Sequence, residues 1–279
     1  MARLVLGIAT THIAAIARTP QIASPEEAAR FRAGFETLAD ALARAAPDVL
    51  VVISPDHVNR FFLDNMPAFC IGLRDSFEGP AEEGTGIPRR LVAGHAPLAT
   101  GILEHGLAHG IDWSRAEDWV LDHGFMVPLH MLDPEGRIPV VPVNVNCAAP
   151  PLPGIARCHA VGALLGEAIR AAEDDLRVAV VAAGGLSHSP GDERMGLIDT
   201  GFDERFLGLL EAGATADILA LTDAEIDAAG SSTAEIRSWI VLYGAFGNRP
   251  FRRVHYQAIA AYGTGCGQCL VEPAAGNPG

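Results

Sequence analysis

Three of the ten histidines stand just beyond apolar runs that read as strands: His12 after Leu4–Ile8, His57 after Val49–Ile53 and His188 after Val178–Ala183. In open α/β sheets, ligands bind outside the carboxyl ends of the strands, so imidazoles placed this way can converge on one point. A converging set could bind a metal through neutral ring nitrogens or move protons near neutral pH. A lone histidine is more often structural than catalytic. Three at equivalent places are harder to dismiss, although ten histidines leave room for coincidence.

The flanking residues sharpen two of the three. Ser54-Pro55-Asp56-His57 is a turn directly after a buried strand, which restricts where His57 can aim. Gly184-Gly185-Leu186-Ser187-His188 supplies glycine where a backbone must approach a ligand closely. Read as a nucleophilic serine, the same segment lacks the closing glycine of a strand–turn–helix elbow. Asp122-His123-Gly124 opens a mostly apolar stretch, where Asp122 either orients His123 or caps a helix. Glu235 is equally two-sided. Ser232-Thr233-Ala234-Glu235 has the form of a capping box, as does Thr222-Asp223-Ala224-Glu225, and spacing favours the cap. Glu235 also borders an apolar helical stripe, from which a carboxylate could point inward.

Other candidates are weaker. His105 and His109 could share a helix face, but no third ligand accompanies them and Gly110 suggests a helix end. Cys266-Gly267-Gln268-Cys269 is a single C-x-x-C without a second pair for zinc or a thioredoxin-like setting. Gly263, Gly265 and Gly267 do not lead from a strand into a helix, as a dinucleotide loop must.

The elements that must position these residues alternate between short apolar runs and amphipathic stretches, which predicts an α/β fold. Ser24-Pro25-Glu26-Glu27 starts a helix with an N-cap, a first-turn proline and a capping-box glutamate. Phe31, Phe35, Leu38 and Leu42 continue it on one face, and Pro47 ends it. Phe69–Leu73 is a further strand, and Pro139–Val145, interrupted by proline, is expected at an edge or as an irregular segment. Val161, Leu164, Leu165, Ala168 and Ile169 mark another helix, and Ile236, Trp239, Ile240, Tyr243 and Phe246 a last one. No repeat or linker divides the chain. A single domain over residues 1–271 is expected, with a mixed, largely buried central sheet flanked by helices. Residues 272–279, rich in Pro, Gly and Ala, are expected to form a flexible tail.

The formal charge of −14 argues against nucleic acid or an anionic membrane as partner, since both require a positive surface. No apolar run reaches the length of a membrane span. Arg3 with Leu4–Ile8 resembles the start of a signal peptide, but Thr10, Thr11 and His12 interrupt it, so a buried first strand is the better reading. Five cysteines in a chain this long do not suggest a disulfide framework, which points to a cytoplasmic protein with reduced thiols.

Several segments together resemble one family. They are Pro55-Asp56-His57-Val58-Asn59-Arg60-Phe61-Phe62, Met66-Pro67-Ala68-Phe69-Cys70, Asp122-His123-Gly124-Phe125, Pro150-Pro151-Leu152-Pro153-Gly154, Gly184-Gly185-Leu186-Ser187-His188 and Ser232-Thr233-Ala234-Glu235-Ile236. In this order, over nearly the whole chain, they resemble the class III extradiol ring-cleavage dioxygenases, the superfamily of the protocatechuate 4,5-dioxygenase catalytic subunit. The matches are densest to the 2,3-dihydroxyphenylpropionate 1,2-dioxygenase branch. The stretch Asp192–Phe202 looks shorter than in that branch, and the segment after Tyr262 looks different. The resemblance implies Fe(2+) held by His12, His57 and Glu235, a two-histidine, one-carboxylate set suited to non-haem iron(II). It thereby overrides the cap reading of Glu235. It also implies His188 as acid/base and His123 as a second active-site histidine, with a small catechol and O2 as substrates and a hydroxymuconic-semialdehyde type product. 2,3-Dihydroxyphenylpropionate is the leading expectation, and the protein is expected to be a homo-oligomer. Two alternatives remain: another metal reaction on the same fold, such as a zinc-dependent dioxygenase or hydrolase, or a non-catalytic binding relative.

Overall fold

In the computed structural model, residues 1–273 are described; residues 274–279, most of the expected tail, lie outside them. The strands are β1 (Arg3–Thr10), β2 (Val49–Ser54), β3 (Phe69–Gly72), β4 (Ser76–Gly79), β5 (Arg90–Ala93), β6 (Ser114–Ala116), β7 (Val140–Val145), β8 (Arg177–Ala183), β9 (Arg252–Ile259) and β10 (Thr264–Val271). The α-helices are α1 (Ala15–Arg18), α2 (Pro25–Ala45), α3 (Ala96–Ala108), α4 (His123–Leu132), α5 (Ile155–Ala171), α6 (Thr200–Ala212), α7 (Thr215–Leu219), α8 (Asp223–Ala228) and α9 (Ile236–Ala245). Eight strands form one mixed sheet in the order β6-β3-β7-β2-β8-β1-β10-β9, and β4 and β5 pair separately. The expected α/β architecture is therefore present.

The central strands are buried on both faces, which is why they read as continuous apolar runs. Their side chains still alternate. Val49, Val51 and Ile53 face the layer of α3, α5 and α9, while Leu50 and Val52 face the layer of α2 and α4. α2 begins as its sequence predicts: Ser24 accepts from the Glu27 N–H, Glu27 returns the bond, and Pro25 follows the cap. Phe31, Phe35, Leu38 and Leu42 then line its buried face. Among the described residues, no helix is long and apolar enough to cross a membrane.

One expectation is corrected. The run containing Pro139–Val145 is neither an edge nor irregular: β7 lies inside the sheet between β3 and β2 and is fully buried. The tolerance for Pro142 follows from register. Pro142 pairs with Val52 in the parallel ladder, whereas the antiparallel ladder to β3 covers only Val143–Val145. Pro142 therefore sits just past the end of the β3 ladder, where a missing N–H removes no strand pairing.

α5 and α9 lie in close contact, and glycines make that possible. A Cβ on Gly162 would come within 2.0 Å of the Val241 carbonyl oxygen, one on Gly166 within 2.3 Å of the Ala245 oxygen, and one on Gly244 within 2.3 Å of the His159 oxygen. Backbone cannot yield as a flexible side chain can. Replacing Gly166 with Val should lower the unfolding free energy by about 1–3 kcal/mol, the usual cost of overpacking, read as a fall in the urea midpoint at unchanged slope.

Candidate metal and proton-transfer site

β2, β8 and β1 are adjacent and parallel, so their carboxyl ends open side by side. β1 leads to His12, β2 to the turn carrying His57, and β8 to the Gly184–Gly185 turn and His188. Asp56 holds the second of these turns: its carboxylate accepts the backbone N–H groups of Asn59, Arg60 and Phe61, while its own N–H donates to Asn144 at 2.8 Å. His57 therefore leaves the strand in one direction.

Glu235 closes the group from the opposite side. The Thr222–Glu225 capping box forms, but the box predicted at Ser232–Glu235 does not: Ser232 makes no side-chain cap. Glu235 is instead the last residue of a 3-10 turn that runs into α9, and its carboxylate points into the interior. Its Oε2 accepts the Gly185 N–H at 2.7 Å and lies 3.5 Å from His12 Nε2. Its Oε1 lies 3.4 Å from His57 Nε2 and 3.6 Å from His188 Nε2. Gly184 has to be glycine here, because its φ is +146° and a Cβ would stand 2.9 Å from that of Glu235.

His12 Nε2 and His57 Nε2 are 3.1 Å apart, and the Glu235 carboxylate faces both, with Oε2 3.5 Å from His12 and Oε1 3.4 Å from His57. Donors bound to one ion at about 2.0–2.2 Å stand roughly 3.0–3.5 Å apart, so separations of this size suit a shared ion. A trio of His12, His57 and His123 is also compact enough to hold an ion. The set containing Glu235 is the better one, because only Glu235 brings negative charge to balance a divalent cation. A third trio, Glu82, Asp122 and His123, is already occupied by internal hydrogen bonds.

Three of the four histidines have a partner on Nδ1, whereas the buried His12 Nδ1 has none among the described residues. His57 Nδ1 lies 2.9 Å from Asp122 Oδ2, which also accepts the His57 backbone N–H at 2.7 Å. Asp122 Oδ1 caps α4 through the Gly124 N–H, so Asp122 both caps the helix and orients a histidine, but that histidine is His57. His123 Nδ1 is held by Glu82 Oε1 at 2.6 Å. His188 Nδ1 lies 2.9 Å from the Leu186 carbonyl. A carbonyl can only accept, so Nδ1 carries the hydrogen and Nε2 is left as an acceptor.

Burial and charge set these groups in different states. Burial takes the His12 imidazole down to about 3, outweighing the attraction of Glu235. Burial opposes charge on His57 as well, but Asp122 and Glu235 raise it well above the ordinary histidine value. Burial alone would raise Glu235, yet His12, His188 and His57 hold its carboxyl well below the usual range. Asp122 is likewise buried, and His57 and His123 hold it down.

All five expected site residues line one cavity of about 550 Å³. The sequence reading missed two that support them. Glu82 sits in a loop whose spacing carries no signal. Asp203 is fully buried and takes the Ser187 N–H and hydroxyl at 2.9 and 2.8 Å and the Tyr256 hydroxyl at 2.8 Å, bracing the turn that presents His188. Burial pushes its carboxyl up to about 6. A visible signal for Asp203 was a carboxylate in the apolar stripe of Phe202, Phe206, Leu207 and Leu210. The weaker candidates stay outside. His105 and His109 stack on α3, and Cys266 and Cys269 belong to cores on opposite faces of the sheet, so they do not form a C-x-x-C pair.

The family described as the catalytic LigB subunit of aromatic ring-opening dioxygenase matches residues 6–267. A 2,3-dihydroxyphenylpropionate/2,3-dihydroxicinnamic acid 1,2-dioxygenase of Klebsiella pneumoniae is 30% identical, over 82% of this chain and 88% of its own. A Pseudomonas putida enzyme with the same description is 30% identical, over 83% and 88%. Among solved structures, an uncharacterized protein of Escherichia coli K12 shares the fold, with a TM-score of 0.59 at 16% identity over 96% of this chain and 99% of that one.

The His57–Asp122 pair makes metal-free stability depend on pH. The raised His57 contributes fully below its unfolded value near 6.5, and this contribution fades as pH rises through the folded value. The depressed Asp122 contributes above its unfolded value near 3.8. Asp122→Asn should therefore cost most stability between about pH 4 and 6.5 and less at pH 9, measured by denaturant midpoints of the metal-free protein.

Proposed function

Because this chain belongs to the family of catalytic LigB subunits of aromatic ring-opening dioxygenases and is an extradiol dioxygenase, we propose that it cleaves a catechol substituted beside the diol, using iron(II) and O2. The observation that carries this reading is the cluster of His12 and His57 against the Glu235 carboxylate, with His188 beside it. Residues 1–271 act as one catalytic domain. The product is a ring-opened hydroxymuconic-semialdehyde type compound containing both oxygen atoms.

His12, His57 and Glu235 would hold the ion, the set that suits non-haem iron(II) and leaves positions open. When bound, iron(II) brings catecholate and O2 together and relays electron density from the ring to oxygen. Asp122 takes the His57 Nδ1–H and fixes the ring, so that when Nε2 gives up its proton the lone pair is directed inward. The negative charge of Glu235 leaves the loaded site with one net positive charge, which a bound catecholate offsets.

His188 moves the proton. With Nδ1–H donated to Leu186, its Nε2 accepts the second catechol proton and later returns one as the O–O bond breaks. His123 gives its Nδ1–H to Glu82, and when Nε2 also carries a proton it donates that one to negative charge developing on oxygen.

The direct test is anaerobic iron(II) reconstitution, then a catechol panel with O2 and a watch for a coloured product. Metal analysis and the O2 requirement separate this reading from a zinc enzyme or a hydrolase. Glu235→Gln keeps an acceptor for the Gly185 N–H but removes the charge, so tight iron binding should be lost while the fold persists. Retained iron with full turnover would show that Glu235 is no ligand.

His188→Ala should keep iron and catechol binding but slow ring opening by roughly 10²–10⁴-fold, the usual contribution of a general acid–base group. Iron content and catechol affinity measured beside turnover decide the matter, since loss of iron would make His188 a ligand.

A further inference from the structure

Resting on the ring-cleavage reading, we propose that the ring substituent is uncharged and apolar, so that this enzyme selects neutral alkyl- or aryl-substituted catechols over carboxylate-bearing ones. The inference comes from the cavity beyond the five site residues.

Its wall there is built from Ile13, Ala15, Ile22, Pro190, Met195 and Ala260. No arginine lines it among the described residues, and the chain contains no lysine at all. Of the neighbouring polar side chains, Thr11 and Thr264 are engaged with backbone, while Ser189 and Ser232 offer neutral hydroxyls but no positive charge. Thr11 bonds the Gly265 carbonyl and the Gly267 N–H, Thr264 the Tyr262 carbonyl, and Ser189 accepts the Ser231 N–H. A carboxylate placed against this wall would lose its hydration without gaining a cationic partner, which is costly.

The arginine nearest in sequence does not supply one. Arg194 precedes Met195, but its guanidinium is held by the Asp227 carbonyl at 2.6 Å, by Asp227 Oδ1 at 3.4 Å and by Asp192 at 3.3 Å. The formal charge of −14 adds a long-range field that repels anions. The histidines at the far end are committed to the diol and its protons.

The rim supports the same conclusion. Met195 is 74% exposed and Ile22 50% exposed, although both are large apolar side chains. A bulky apolar substituent reaching toward the mouth would cover them, in the way exposed apolar patches mark binding surfaces.

The test compares 3-(2,3-dihydroxyphenyl)propionate with its methyl ester, and with 3-methyl-, 3-ethyl- and 3-propylcatechol, on the iron(II)-loaded enzyme. The ester should exceed the acid in kcat/KM by at least about tenfold, and each added methylene should raise it roughly fourfold, as for a buried methylene. Met195→Arg should then shift the ratio toward the acid, whatever happens to the absolute rate. An acid turned over as well as its ester overturns the inference and leaves ring cleavage standing, as does a ratio that Met195→Arg does not move. If none of the catechols is opened, the ring-cleavage reading falls and the inference falls with it.

Discussion

An ionised carboxylate lies almost fully buried at the centre of this protein, and the rest of the site is arranged around the cost of keeping it there. Glu235 is only 4% exposed. An isolated buried carboxylate would take up a proton, but three imidazoles stand within 3.6 Å of its oxygens and the Gly185 N–H donates to it. The carboxylate and the lone pairs of neutral imidazoles around it are also the groups that a divalent cation would take as ligands.

Assembling this cluster requires elements far apart in sequence to meet within about an ångström. The parallel trio β2, β8 and β1 brings His57, the Gly184–Gly185 turn and His12 to one end of the sheet. α9 brings Glu235 from the other direction, and its position depends on the glycine contacts that seat it on α5. The two glycines of the β8 turn allow the final approach, since a side chain at Gly184 would collide with Glu235. Packing at the α5–α9 seam and chemistry at the site are thus coupled through one short segment.

The histidines share a residue type but not a state, because their surroundings differ. Burial keeps His12 neutral, the Asp122 carboxylate draws positive charge onto His57, and a backbone carbonyl fixes His188 with Nε2 as the accepting nitrogen. Asp122, Glu82 and the Leu186 carbonyl hold three of these rings, and Asp203 braces the turn that presents His188.

Local sequence patterns were enough to establish the α/β class, the start of α2, the buried central strands and the placement of three histidines past strand ends, because each rests on periodicity or on a capping rule that acts within a few residues. The family resemblance added Glu235 and His123. Tertiary structure decided what spacing left open. Ser232–Glu235 and Thr222–Glu225 have the same capping pattern, yet only the second forms a box, since the Glu235 side chain is drawn to imidazoles from three other segments. Pro142 looked like an edge residue, and only the pairing register shows that β3 ends before reaching it. Asp122 was visible as a cap, but its bond to His57 spans 65 residues, and Glu82 reaches His123 across 41. Such contacts depend on which strands become neighbours, and local sequence does not carry that information.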